Sequence, residues 1–247
     1  MKKTFWGGRR YCSLDYMLKE RYSEKLYKLS LNGGMTCPNR DGKISEGGCI
    51  FCSAGGSGDF AANFNPDIAK QIEQAKTLVS KKYQGNRFIA YFQAYTNTYA
   101  PVEYLRKLFM DTIMRDDIAI LSIATRPDCL GDDVIELLAE LNRIKPVWVE
   151  LGLQTINEST ARLINRGYEL SCYDEAVRRL RNIGVEIITH MIIGLPYETK
   201  EDILSTAEYI GKTANGIKLQ LMHILKNTKL LEMYENCLLY TSDAADE

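Results

Sequence analysis

The segment Lys25–Leu31, Lys-Leu-Tyr-Lys-Leu-Ser-Leu, alternates apolar and polar residues as a strand does. It runs into Thr36–Ser53, Thr-Cys-Pro-Asn-Arg-Asp-Gly-Lys-Ile-Ser-Glu-Gly-Gly-Cys-Ile-Phe-Cys-Ser. Cys37, Cys49 and Cys52 therefore share one Gly-rich loop with the spacing C-x11-C-x2-C. Two intervening residues, Ile50 and Phe51, let both sulfurs of the close pair face one centre, and Asp41-Gly42 and Gly47-Gly48 supply turns that bring Cys37 back to them. A structural zinc site closes with four protein ligands, whereas an iron–sulfur cluster on three cysteines keeps one iron open for chemistry. The loop alone leaves three readings open: an iron–sulfur centre, a zinc with a distant fourth ligand, and unliganded thiols.

Downstream, apolar strand-like segments alternate with helix-like ones. Strands are expected at Arg87–Gln93, Ile118–Ala124, Val147–Leu153, Val185–Ile193 and Ile217–Met222. Helices are expected at Asp67–Lys82, Pro101–Met114, Asp132–Asn142, Glu158–Ile164, Tyr173–Ile183 and Lys200–Thr213. Leu230, Leu231 and Met233 lie at helical spacing and mark the start of a sixth crossover helix. Six βα repeats imply a parallel sheet covered by helices, in one domain. A closed eight-unit barrel takes about 250 residues, so six units leave a partial barrel or an open doubly wound sheet. In either, ligands gather at the C-terminal ends of the strands.

The segments at those ends are unusually polar. They include Gln93–Pro101, Thr125–Asp128, Gln154-Thr155 with Arg166-Gly167 beyond, His190 within its strand and then Gly194–Glu198, and finally His223 and Lys226. Each has a plainer alternative. Glu150 can be a satisfied buried carboxylate, Arg166 a charge at a helix end, and His190 a hydrogen-bonded core residue. Cys12, Cys129 and Cys172 read as small apolar fillers. These alternatives do not account for polar groups gathering at one end of six successive strands.

No apolar run is long enough to span a bilayer, and the first residues lack a signal-peptide core, so a cytoplasmic chain with no membrane partner is expected. Seven cysteines in that reducing compartment point to metal or redox chemistry and not to disulfides. Residues 1–24 form a basic, aromatic extension in which Lys2, Lys3, Arg9, Arg10, Lys19 and Arg21 interleave with Phe5, Trp6, Tyr11, Tyr16 and Tyr22. Such a composition suits nucleic acid, through phosphate attraction and base stacking, and equally suits a solvated arm packed on the domain. Residues 237–247 resemble a translated sequencing adapter, so a non-native tail and a core cut short near Asn236 are expected.

Taken together, Thr36-Cys-Pro-Asn-Arg-Asp-Gly42, Gly47-Gly-Cys-Ile-Phe-Cys52, Ser122-Ile-Ala-Thr-Arg-Pro-Asp128, Val149-Glu-Leu-Gly-Leu-Gln154, Ile164-Asn-Arg-Gly167 and His190-Met-Ile-Ile-Gly-Leu-Pro196 resemble the radical S-adenosylmethionine (SAM) superfamily. The resemblance is to the branch of the Elongator catalytic subunit and oxygen-independent coproporphyrinogen oxidase, and within it to the YhcC/YtqA group. It covers roughly residues 10–236 and makes residues 25–236 a radical SAM core. Two features depart from the common pattern: the cysteine spacing is wider than C-x3-C-x2-C, and Tyr168 stands where relatives often carry His. The resemblance implies an α/β fold, a partial (β/α)6 TIM-like barrel. It also implies a [4Fe–4S] cluster on Cys37, Cys49 and Cys52, with SAM chelating the fourth iron and cleaved after one-electron reduction to a 5′-deoxyadenosyl radical. Carried over, Phe51 approaches the adenine, Ala94, Tyr95 and Thr96 meet the amino group, Gln154 the ribose, Arg166 the carboxylate and His190 the adenosine. A reductant such as flavodoxin or ferredoxin is the implied partner, and tRNA the first substrate expectation. A small metabolite or protein side chain is the enzymatic alternative, and a zinc- or cluster-stabilised binding module the non-catalytic one.

Overall fold

The computed structural model describes residues 5–56, 58, 61–83 and 85–236. Lys2, Lys3 and the expected adapter-like tail 237–247 lie outside them. Six parallel strands, β1 (Tyr27–Leu31), β2 (Phe88–Phe92), β3 (Ile118–Thr125), β4 (Val147–Gln154), β5 (Glu186–Ile193) and β6 (Gly216–Leu221), pair in chain order β1-β2-β3-β4-β5-β6. Consecutive order with a helix in most crossovers is the partial barrel, and not the doubly wound sheet with its reversal of strand order. The helices are α1 (Leu14–Tyr22), α2 (Ile68–Val79), α3 (Val102–Ile113), α4 (Asp132–Ile144), α5 (Glu158–Leu163), α6 (Leu170–Asn182), α7 (Lys200–Thr213) and α8 (Lys229–Glu235). Their starts follow local chemistry: the side chains of Asp67, Asn157, Thr199 and Thr228 accept from first-turn amides of α2, α5, α7 and α8.

The period-two alternation of each strand sorts its residues onto two faces. Leu29, Leu31, Ala90, Phe92, Leu121, Ile123, Val149, Leu151, Ile187 and Met191 face the helices and form the main core. Alternate residues line a lumen in three layers. The lowest is apolar: Ile89, Ile120 and Trp148 pack with Ile188 and are closed by Leu18 and Leu26. The middle layer is charged, with Lys28, Ser122, Glu150, His190, Lys218 and Tyr91 in mutual contact. Above it lies the mouth, where the cysteine loop after β1 sits.

One element was not expected. Within the N-terminal extension, α1 begins at the cap Ser13, whose hydroxyl accepts from the amide of Tyr16, and buries Leu18 against the floor of the lumen. Leu14, Met17, Leu18 and Tyr22 make the stripe that would have revealed it, but basic and aromatic neighbours obscure its amphipathic pattern. Two of the extension's cations are spent in ion pairs, Lys19 with Asp15 and Arg21 with Glu186. Helix α1 thus closes the end of the barrel opposite the mouth.

Because Leu18 is 2% exposed, Leu18→Ala should lower the unfolding free energy by about 2–5 kcal/mol in urea titrations. Leu14→Ala, at 45% exposure on the same helix, should stay within about 0.5 kcal/mol. Equal effects would mean that α1 does not seal the floor.

Candidate active site at the mouth of the half-barrel

The loop from β1 folds back on itself through bonds that its own motif supplies. The Arg40 and Asp41 amides donate to the Cys37 carbonyl, at 2.8 and 3.2 Å, and the Gly48 amide to the Asn39 carbonyl at 2.8 Å. Asn39 is fully buried; its amide nitrogen donates to the Asn165 carbonyl at 2.5 Å and approaches the Cys49 sulfur at 3.7 Å. Asn165 returns the contact, donating to the Gly48 carbonyl at 2.9 Å and to the Ser45 hydroxyl at 3.0 Å. Gly167 makes the close approach possible: its φ is +81°, and a Cβ there would lie 2.7 Å from the Asn39 side-chain oxygen. The Arg40 guanidinium donates to the carbonyls of Cys52 and Ser53. From the far end of the chain, the Leu230 amide donates to the Ile50 carbonyl at 3.0 Å, and Leu230 packs on Ile50.

One cavity collects the expected residues. Cys37, Cys49, Cys52, Phe51, Tyr95, Thr96, Gln154, Arg166 and His190 all line it. Ala94 does not: it is buried, with its Cβ against the backbone at Gly58. The backbone is forced at two of these points, Tyr95 and Gln154, with φ of +61° and +65°, and at Asn165 beside Arg166, with φ of +56°. Each such residue costs on the order of 1–3 kcal/mol and is held by its surroundings. At Gln154 the cause is visible: β4 loses register with β5 between Gly152 and Gln154, and the bulge turns the side chain into the cavity.

Arg166, expected at the SAM carboxylate, lines the cavity and is also engaged by the chain itself. It is 1% exposed, and its guanidinium donates to the carbonyls of Tyr168 (2.9 Å), Leu153 (3.3 Å) and Thr155 (2.8 Å) and to Glu158 (2.9 Å). A guanidinium has five N–H groups, so a two-pronged grip on a ligand carboxylate would require one of these bonds to break. As it stands, Arg166 fixes the backbone on either side of Gln154. Tyr168 lies between two guanidiniums, with Arg126 at 4.9 Å and Arg166 at 4.8 Å from its ring centre, and its hydroxyl donates to the Gly152 carbonyl. Arg126 itself is chelated by Asp128 at 2.9 and 2.8 Å.

Several members of the site were not singled out from sequence. Asn39 and Arg40 stood inside the cysteine motif, and Arg126 in the Thr-Arg-Pro-Asp turn, yet their roles depend on particular contacts: Asn39 with Asn165, Arg40 with the carbonyls of Cys52 and Ser53 in its own loop, and Arg126 with Asp128 and the Arg166 carbonyl. Lys28 and Lys218 carried no signal, because a lysine in a strand ordinarily faces solvent.

The donor set suits a metal cluster. Three thiols line one cavity. Arg40 Nε is buried there without a partner and is available to a sulfide or thiolate acceptor. Among the described residues, no three His, Cys, Asp or Glu side chains converge as the ligands of a single ion must. Burial raises the Cys49 thiol to about 12; Cys52 and Cys37 add to the effect, and Arg126 and Asn39 oppose it. Its thiolate therefore needs a bound cation for compensation.

The same shift sets a pH dependence for metal-free protein. An unfolded chain releases a cysteine proton near pH 8.5, whereas folded Cys49 holds it to about pH 12. The contribution to stability is intact below about pH 8.5 and is lost as pH rises, at up to about 1.4 kcal/mol per pH unit. Unfolding free energies measured from pH 8.5 to 10.5 should fall less steeply in Cys49→Ala than in the parent. Parallel slopes would show that Cys49 ionises freely in the folded protein.

A family model described as the Radical SAM superfamily matches residues 37–210. The chain is 48% identical over 228 residues to the uncharacterized protein YtqA of Bacillus subtilis (strain 168), covering 92% of this chain and 71% of that protein. It is 40% identical over 220 residues to protein YhcC of Escherichia coli (strain K12), covering 88% and 70%. More distant relatives include a tRNA-2-methylthio-N(6)-dimethylallyladenosine synthase of Fusobacterium nucleatum, 27% identical over 68% of this chain and 39% of that protein. The fold is shared with the archaeal Methanocaldococcus infernus Elp3, at a TM-score of 0.64 and 17% identity, over 87% of this chain and half of that one.

Proposed function

Since this chain belongs to the radical SAM superfamily, we propose that Cys37, Cys49 and Cys52 hold its [4Fe–4S] cluster, that SAM occupies the cavity above His190, and that the substrate is a tRNA. Membership makes the chain an enzyme whose cofactors are a [4Fe–4S] cluster and SAM. When bound, these supply a 5′-deoxyadenosyl radical after one-electron reduction; flavodoxin or ferredoxin is the proposed donor. The observation that carries the site assignment is the gathering of all three loop thiols with Phe51, Gln154 and His190 around one cavity.

The chain's own residues have separable tasks in this reading. Arg40 and Asn39 set the loop so that the sulfurs face inward. Phe51 offers an aromatic edge, and Gln154, aimed by the β4 bulge, offers an amide to ribose hydroxyls. Arg166 is a positioning residue that keeps Gln154 and Tyr168 in place. The apolar floor under Trp148 excludes water from below, as a radical site requires. Residues 25–236 act as the catalytic core, with α1 as its floor.

The tRNA proposal is supported by the relative named for tRNA modification and by exposed Arg9, Arg10 and Tyr11 ahead of α1, where Arg9 lies 5.9 Å from the Tyr11 ring centre. Against it stands the position of that arm at the barrel floor, so an RNA meeting both arm and mouth would have to pass along the side of the domain.

Anaerobically reconstituted protein should be brown and should form 5′-deoxyadenosine from SAM on reduction. Cys37→Ala, Cys49→Ala and Cys52→Ala should each abolish the visible absorption, while Cys12→Ala and Cys172→Ala should keep it. A colourless protein with one tightly held zinc would overturn the reading in favour of a binding module. Total tRNA should bind with affinity that falls linearly in log–log salt plots, and Arg9→Glu with Arg10→Glu should flatten that slope. Absence of any salt-dependent association would replace tRNA by a small substrate.

A further inference from the structure

The middle layer of the lumen holds more positive charge than it can use internally. Glu150 is fully buried. One carboxylate oxygen accepts from Lys28 Nζ at 2.5 Å and the Ser122 hydroxyl at 2.6 Å; the other meets His190 Nε2 at 2.7 Å. These three partners satisfy it. Lys218 Nζ is a second ammonium 3.6 Å from the same group, and its hydrogen bond goes instead to the Tyr91 hydroxyl at 2.9 Å. Both ammonium groups lie over the Tyr91 ring, at 4.3 and 4.8 Å from its centre. Burial lowers the His190 pKa, with Lys218 and Lys28 acting in the same direction and Glu150 opposing; neither form of the imidazole carries the negative charge that would offset an ammonium. Burial lowers the Lys218 pKa, with Lys28 acting in the same direction and Glu150 opposing; while both lysines are protonated, two ammoniums against one carboxylate leave one positive charge in excess, in surroundings where an unpaired charge is costly.

That excess is accessible. The Lys28 and Lys218 side chains are 26% and 32% exposed, whereas Glu150 is 0%. Lys218 lines the mouth cavity, and it also lines, with Lys28, a second cavity of about 760 Å³ between α1, α7 and the edge strands. Among the described residues, the carboxylates lining the two cavities are Glu150 and Glu186, and Glu186 is already paired with Arg21 at 2.5 Å. Lys218 is therefore the point at which both cavities meet an uncompensated cation, below the place assigned to SAM.

We infer that Lys28 and Lys218 bind an anionic group of the substrate, a phosphate or a carboxylate, which enters the lumen as the missing counter-charge. The inference rests on the reading of the mouth as the radical centre, and it gives the substrate a chemical requirement that the cofactor site does not. The anion pairs with Lys218 and keeps the rest of the substrate above it, toward His190 and the cysteines.

The test uses the full chain with its cluster reconstituted, titrated by calorimetry with inorganic phosphate and, separately, acetate, at constant ionic strength set by chloride. One of the two should bind saturably at one site; the tighter one identifies phosphate or carboxylate as the source. Lys218→Gln should weaken that binding about tenfold or more, as expected for loss of a charged hydrogen bond, and Lys218→Arg should restore most of it. Lys28→Gln should act in the same direction; if it fails to fold, Lys218→Gln decides alone, since Lys218 is not needed to satisfy Glu150. SAM affinity should be unchanged in every folded variant. Lack of saturable binding by the parent, or equal binding by Lys218→Gln, would overturn the inference, as would a parallel loss of SAM affinity, which would assign the charge to the cofactor. A parent that binds the anion but neither holds iron nor cleaves SAM would sink the radical reading and leave the anion site standing.

Discussion

Glu150 is the residue on which the two open edges of the sheet converge. The six-stranded sheet stays open, so β1 and β6 each pair on one side only and their outer edges have no backbone partner. Here a carboxylate on β4 takes an ammonium from β1 and faces another from β6, with His190 of β5 and Ser122 of β3 completing the ring. Burial alone would raise its pKa. The His190 hydrogen bond and the charges of Lys28 and Lys218 outweigh that and hold it well below the usual carboxylate range. Replacing Glu150 by an apolar residue would leave two ammoniums facing each other across Tyr91, which is why the group is structural even where its neighbours are available to a ligand.

Above that layer, the cysteine loop owes its shape to residues far off in sequence. The Asn39–Asn165 clasp joins it to the turn after α5, and the Leu230 amide ties Ile50 to α8. Ile50, Ile164 and Leu230 pack in one apolar cluster, so the turn after α5 and α8 grip the loop together beside the thiols. The strain at Tyr95, Gln154 and Asn165 has the same logic, because a backbone held in the left-handed region by several partners presents its side chain in one orientation.

The strand and helix pattern was legible because period-two and helical spacings survive in each segment; strand and helix ends mostly fall within two or three residues of expectation. The cysteine loop was legible because three thiols close together in one Gly-rich loop have few uses other than holding a metal centre. What escaped was whatever depended on tertiary pairing. Arg166 was identified as important, but its sequence position could not show that Leu153, Thr155, Tyr168 and Glu158 already occupy it. Likewise Lys28 and Lys218 look like solvent-facing lysines in amphipathic strands until the sheet curls and brings β1 and β6 to the same carboxylate. Helix α1 escaped for a local reason: four apolar residues among many basic and aromatic ones give a weak stripe, and only the floor of the lumen gives it a use.

The three layers also separate what can change from what cannot. The apolar floor has Trp148, Ile89, Ile120 and Leu18 packed tightly, and its tolerance is set by volume. The mouth is set by the geometry of three thiols and of the backbone that aims Gln154. Between them the charged layer has a fixed member, Glu150, and two lysines whose Nζ atoms sit at the ends of flexible stems on edge strands. A side chain of that kind can follow a ligand by a rotamer change without moving the sheet. The floor and the mouth therefore define the chemistry that the scaffold protects, while the lysines between them are the part of the lumen whose charge can select what is presented to it.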